Sequence, residues 1–142
     1  MKKIIWFLII LIVILVITLL IWHRPMETDE GIKITLGKKY FMLNYDNLNK
    51  LNPESFTTNR GDEFSGYRLD DILNYFHIKD NEYSRMIFHS SDGASIKLKK
   101  QASETYYLVL QDGNEEPNLR LIIPSDKFGQ RWIKYIRQID LE

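Results

Sequence analysis

The chain has 142 residues, with 19 basic and 19 acidic side chains and no cysteine. That balance excludes the clustered basic excess that nucleic-acid phosphates require, so nucleic acid is not an expected partner. The absence of cysteine fits either redox compartment.

The N-terminus differs sharply from the remainder. Ile4 to Trp22 is a run of 19 residues in which Thr18 is the only polar side chain. A helix of that length spans about 28 Å, close to the hydrocarbon thickness of a bilayer. No Ala, Gly or Ser lies between Lys2 and Pro25 to form a cleavage site, so residues 1–24 read as a retained signal-anchor. The expected partner of residues 4–22 is therefore the lipid bilayer. The run lacks small-xxx-small spacing and gives no warrant for dimerisation through it. Lys2 and Lys3 favour an internal N-terminus. Lys33, Lys38 and Lys39 belong to a domain, and long domains cross largely regardless of charge. The expectation is a single-pass membrane protein with its C-terminal domain outside the cytoplasm, in the cell envelope.

Residues 25–30 form a short polar linker, and residues 31–142 amount to one domain. From Pro25 onward 16 basic side chains face 19 acidic ones, a net charge of −3. There is no internal repeat.

Ile32, Ile34 and Leu36 alternate with polar residues, and Gly37-Lys38-Lys39 turns the chain into Tyr40 to Leu43, which predicts an opening hairpin. Asn44 is placed to cap a short helix that buries Leu48 and Leu51 and stops at Asn52-Pro53. Ser55 to Asn59 is a candidate strand. Leu69, Ile72, Leu73 and Phe76 share one face of a second helix. Arg85 to His89 and Ala94 to Leu98 are strands joined by the turn Ser90-Ser91-Asp92-Gly93. Tyr106 to Leu110 and Leu119 to Ile123 form another pair around Asp112-Gly113-Asn114. In Trp132 to Leu141 the apolar residues 133, 136, 139 and 141 fit helix and strand alike. The predicted fold is α+β: one N-terminal transmembrane helix, then a mixed, mostly antiparallel β domain with two or three short helices.

Spacing alone yields no catalytic constellation. His23, His77 and His89 lack a second ligand at metal-like spacing and read as structural. Ser90, Ser91 and Asp92 are residues a turn needs in any case. Tyr106 and Tyr107 read as strand and core filling rather than a ligand cage.

Four stretches carry a resemblance. They are Phe64-Ser65-Gly66-Tyr67-Arg68-Leu69-Asp70-Asp71-Ile72-Leu73; His89-Ser90-Ser91-Asp92-Gly93; Asn118-Leu119-Arg120-Leu121-Ile122-Ile123-Pro124; and Gly129-Gln130-Arg131-Trp132-Ile133-Lys134-Tyr135. In order, from about Gly31 to the C-terminus, they resemble the molybdopterin-binding domain of the sulfite oxidase family. The resemblance implies a mixed α+β fold with curved sheets. It also implies an anion or pterin site at Gly129, Arg131 and Lys134, with Arg120 as a further candidate. An arginine fork and a lysine point charge suit phosphate oxygens; the alternative is that Arg131 and Lys134 are a solvated face beside Trp132, Ile133 and Ile136. Family members that transfer oxygen hold molybdenum through a cysteine in the segment matching Phe56 to Arg60, which here reads Phe56-Thr57-Thr58-Asn59-Arg60. Hydroxyls and amides do not replace a soft thiolate.

No metal and no catalytic residue is therefore expected, and molybdopterin stands as a cofactor by resemblance only. Three readings follow. The first is a membrane-anchored, non-catalytic version of the fold that binds a small anionic ligand or an envelope protein. The second is a molybdopterin-dependent oxidoreductase or an accessory subunit of one. The third is a structural envelope component.

Overall fold

The computed structural model describes Trp6, residues 10–16, Thr18, residues 31–111 and residues 118–142. Most of the expected anchor, the linker 25–30 and the turn at Asp112-Gly113-Asn114 lie outside the described residues. No helix among the described residues is long and apolar enough to cross a membrane.

The opening hairpin forms as its alternation predicts. Strand β1 (Gly31–Leu36) pairs antiparallel with β2 (Lys39–Asn44), and Gly37 supplies the left-handed turn residue at φ 59°. Asn44 caps helix α1 (Tyr45–Leu48), its side chain accepting from Asn47 N at 2.9 Å, and Leu48 is fully buried. Strand β3 (Glu54–Thr57) pairs with β4 (Glu63–Arg68). Helix α2 (Leu69–Tyr75) follows directly and buries Leu69, Ile72 and Leu73. His77 takes the left-handed position after it, at φ 58°, where its N–H reaches Asn74 O at 2.9 Å.

Strands β5 (Arg85–Ser90) and β6 (Ser95–Lys99) form the expected hairpin. Its turn is closed by Ala94 N donating to Asp92 Oδ1 at 3.0 Å, with Gly93 at φ 90°. Strands β7 (Tyr107–Gln111) and β8 (Asn118–Ile122) pair antiparallel. The ambiguous C-terminal segment resolves into two parts: an irregular stretch that ends at Tyr135 with φ 58°, then strand β9 (Ile136–Leu141).

The result is a mixed α+β domain with nine strands among the described residues, in two sheets. One has the order β2-β1-β9-β5-β6 and the other β3-β4-β7-β8. All pairings are antiparallel except β1 with β9. The main core draws on both sheets and on α2: Ile34, Phe88 and Ile139 from the first sheet, Leu108 and Leu121 from the second, and Ile72 from the helix are all 0% exposed.

Strand β4 has no counterpart among the strands expected from the sequence, and a glycine within a strand weakens its local signal. Here glycine is required by packing. A Cβ at Gly66 would stand 2.8 Å from Val109 Cγ2 and 3.0 Å from Leu108 O.

Candidate functional site

The second sheet has two apolar faces. One joins the main core; the other carries a smaller cluster of Tyr107, Val109 and Ile122, flanked by Phe56, Phe64 and Trp132. Strand alternation puts Phe56, Phe64, Tyr107 and Ile122 on this face together. Phe56 stacks on Tyr107 with centroids 3.9 Å apart, and Phe64 meets Trp132 edge-on at 6.0 Å.

Trp132 stands at the rim of this cluster, and three contacts fix it. Its Nε1 donates to Ile123 O at 3.1 Å. Gly129, at φ 66°, lies against the indole so closely that a Cβ would be 3.0 Å from Cδ2. Arg120 covers the ring, with Cζ 5.2 Å from a ring centroid.

Arg120 has no ion-pair or hydrogen-bond partner among the described residues, and its buried Nε is unsatisfied. An isolated antiparallel bridge between Leu121 and Ile133, with Leu121 N donating to Ile133 O at 2.8 Å, brings the segment before Lys134 beside β8. Arg120 and Gly129 thus pack on one indole, and Lys134 stands exposed two residues beyond it in the chain.

Arg131 is placed differently. Its Nη1 and Nη2 donate to the two oxygens of Glu104 at 3.0 and 2.6 Å, and its Nε and Nη2 reach the buried carboxylate of Asp126. The hydrogen bonds from Arg131 hold the Glu104 carboxyl below the usual carboxylate range, while the two carboxylates push the guanidinium further up. Tyr106 Oη donates to the same Glu104 at 2.9 Å; burial, then that carboxylate, pushes its phenol up to about 12. One cation between two anions leaves a net negative cluster, which an incoming anion would not seek. Glu104 is not marked by the sequence, because no local pattern links residues 27 apart, and Asp126, only five residues from Arg131, stands in an irregular loop with no periodicity to point to it.

Phe56 and Thr57 end strand β3, and the chain turns tightly from Thr58 to Asp62. Thr58 is 4% exposed and its Oγ1 accepts from Asp62 N at 3.2 Å. Asn59 is tied by its backbone N–H to Pro124 O and by its side chain to Ser125 O, each at 2.9 Å. These donors are hard and already engaged, so they do not fit molybdenum. Among the described residues no three His, Cys, Asp or Glu side chains are grouped to hold a metal ion.

Two other polar places stand apart. On the first sheet, His89 Nε2 lies 2.7 Å from Asp140 Oδ2, and Asp140 Oδ1 accepts from Gln138 at 2.7 Å and from Thr35. Burial works against ionisation of Asp140, but these donors outweigh it and hold the carboxyl below its ordinary range. With donors from Thr35, Gln138 and His89 the Asp140 carboxylate is satisfied. Beside the β1–β2 turn, a cleft of about 610 Å³ lies between Leu36 and Leu141, with Lys38 and Lys39 balanced by Glu82 and Glu142.

Compared with known proteins, the chain matches no family model, no curated protein and no solved structure.

Proposed function

We propose that this protein is a membrane-anchored, non-catalytic binding module of molybdopterin-domain-like fold. Its domain lies outside the cytoplasm and takes a small anion, or the acidic group of a partner protein, at Arg120 and Lys134 over the Trp132 ring. The observation that carries this reading is the Arg120 guanidinium, which has no ion-pair partner among the described residues, with its Nε buried and its Cζ 5.2 Å from a ring centroid of Trp132. A cation withdrawn from water without a counter-charge is costly, and an incoming phosphate, sulfate or carboxylate supplies that charge. The guanidinium offers two parallel N–H donors to such a group, and Lys134 adds a mobile point charge. Arg131 supports the site from behind by fixing the loop that carries Trp132.

The test is calorimetric titration of the full-length protein in a neutral detergent with inorganic phosphate and with sulfate. Arg120→Gln should weaken binding by about 10- to 100-fold, the equivalent of one charge-assisted hydrogen bond of about 1.5–3 kcal/mol. Lys134→Gln should weaken it less. Unchanged affinity in Arg120→Gln would overturn the reading. The oxidoreductase reading instead requires about one molybdenum per chain, lost with the fold, and metal analysis of the same preparation separates the two.

A further inference from the structure

The sheet register decides which end of the domain meets the membrane tether. Strands β1 and β9 run parallel with Lys33 opposite Gln138, so the entry of β1 at Gly31 lies beside the entry of β9 at Ile136. Lys134 and Tyr135, immediately before β9, belong to that same end. Ser91 N donates to Tyr135 O at 2.8 Å, which adds the β5–β6 turn to it. The cleft at the β1–β2 turn is at the other end of β1.

The loop that leads into this entry end has an unusual composition for a domain surface. Phe128 is 74% exposed and Tyr135 is 40% exposed, and Lys127 and Lys134 flank them in solvent. Among the described residues no carboxylate pairs with Lys127, Lys134 or Arg120. Asp92, in the neighbouring turn, accepts from the backbone N–H of Ala94, a bond that favours its charged form. An exposed phenyl ring, a tyrosine and a tryptophan among unpaired cations make the composition that settles at a lipid headgroup layer.

The tether makes that layer the nearest surface. Only eight residues, His23 to Glu30, separate Trp22 from Gly31. Fully extended they reach about 28 Å, roughly the diameter of a domain of this size. Every contact between the entry end and the bilayer is then intramolecular, at the high effective concentration a short linker gives.

We infer that the loop from Pro124 to Tyr135 docks on anionic phospholipid headgroups of the bilayer in which the chain is anchored. Arg120 and Lys134 take a lipid phosphate, Lys127 adds charge attraction, and Phe128 enters the boundary between headgroups and acyl chains. This rests on the anion site and the anchor proposed above, and it narrows the ligand to the phosphate of a lipid in the same membrane.

The experiment is amide hydrogen exchange of the full chain in nanodiscs, comparing phosphatidylcholine alone with a mixture rich in phosphatidylglycerol. Amides between Ser125 and Tyr135 should be protected in the anionic discs, unprotected in the neutral ones, and released by high salt. Lys127→Gln and Lys134→Gln should each weaken docking by about five-fold, and Phe128→Ser should weaken it at every lipid charge. The amides of β5 report whether a variant remains folded. Equal exchange in both discs overturns the inference. If inorganic phosphate then protects the loop in neutral discs, the anion site stands and only its lipid assignment fails; if it does not, both fail. Protection in neutral discs that Glu27→Gln with Glu30→Gln removes would make the acidic linker the occupant, and that also overturns it.

Discussion

Arg131 and Glu104 are joined by two hydrogen bonds of 3.0 and 2.6 Å across 27 residues of sequence, and the same guanidinium closes on Asp126. The Glu104 side chain is 11% exposed and that of Asp126 5% exposed, so removing the cation leaves two carboxylates with little access to water. Arg131→Ala in the full-length protein should cost about 2–4 kcal/mol, the lower part of the range for breaking buried pairs, since Arg131 itself is partly solvated. Denaturant unfolding measures it. A loss below about 0.5 kcal/mol, the level of ordinary surface changes, would mean that the cluster contributes nothing to the fold.

Acid should weaken this cluster and, separately, the Asp140 group. Glu104 and Asp140 both have folded-state values below their ordinary 4.5 and 3.8. A carboxyl depressed in the folded state contributes stability that is fully present above its ordinary value and is lost as pH falls through the folded one. Thermal melts should therefore show no contribution from these groups to pH dependence near neutrality and a falling melting temperature below about pH 4.5. Glu104→Gln should reduce that acid slope; an identical slope in the variant would count against the assignment.

Gly129 gives a backbone test. At φ 66° and 3.0 Å from the indole, Gly129→Ala must both enter a left-handed conformation and displace Trp132. The expected loss is about 1–3 kcal/mol, with a change in the environment of Trp132. Fluorescence in a background where Trp6 and Trp22 are replaced by phenylalanine would report it, and an unshifted spectrum would place the indole elsewhere.

Core packing is tested at Leu73, which is 2% exposed on α2 and belongs to the main core. Leu73→Ala should cost about 2–5 kcal/mol, the range for such truncations. Chemical denaturation with an unchanged midpoint would exclude it from the core.

The anchor is tested by extraction. Full-length protein should remain with membranes through alkaline carbonate and high salt, as a spanning helix does. Release by salt alone would leave only peripheral attachment.

Most strands of the domain could be read in the chain because their signals are local. Alternation marks Ile32, Ile34, Met86 and Phe88, and the Gly37 and Gly93 turns fix two hairpins. The short helices follow from the Asn44 cap and the spacing of Leu69, Ile72 and Leu73. Strand β4 was hidden, since its glycine answers to Val109 on another strand and no local rule anticipates that contact. The site was legible in its residue types but not in their grouping. Arg120, Gly129, Arg131 and Lys134 can all be named from the sequence. Only the Leu121–Ile133 bridge brings the segment before Lys134 beside β8, and Glu104 and Asp126 engage Arg131 elsewhere.

The pairing of β1 with β9 has a consequence for how the chain is made. The central strand of the five-stranded sheet is supplied by Ile136–Leu141, whose neighbours β1 and β5 are synthesised long before it. Until those residues emerge, the β1–β2 and β5–β6 hairpins each present an open edge where β9 will insert, and open edges recruit other chains. Closing the sheet spans contacts between residues about a hundred positions apart, an arrangement that slows folding. A nascent chain held unfolded until its last strand arrives can still be threaded through a narrow channel, whereas one released early by a stop before Ile136 should aggregate.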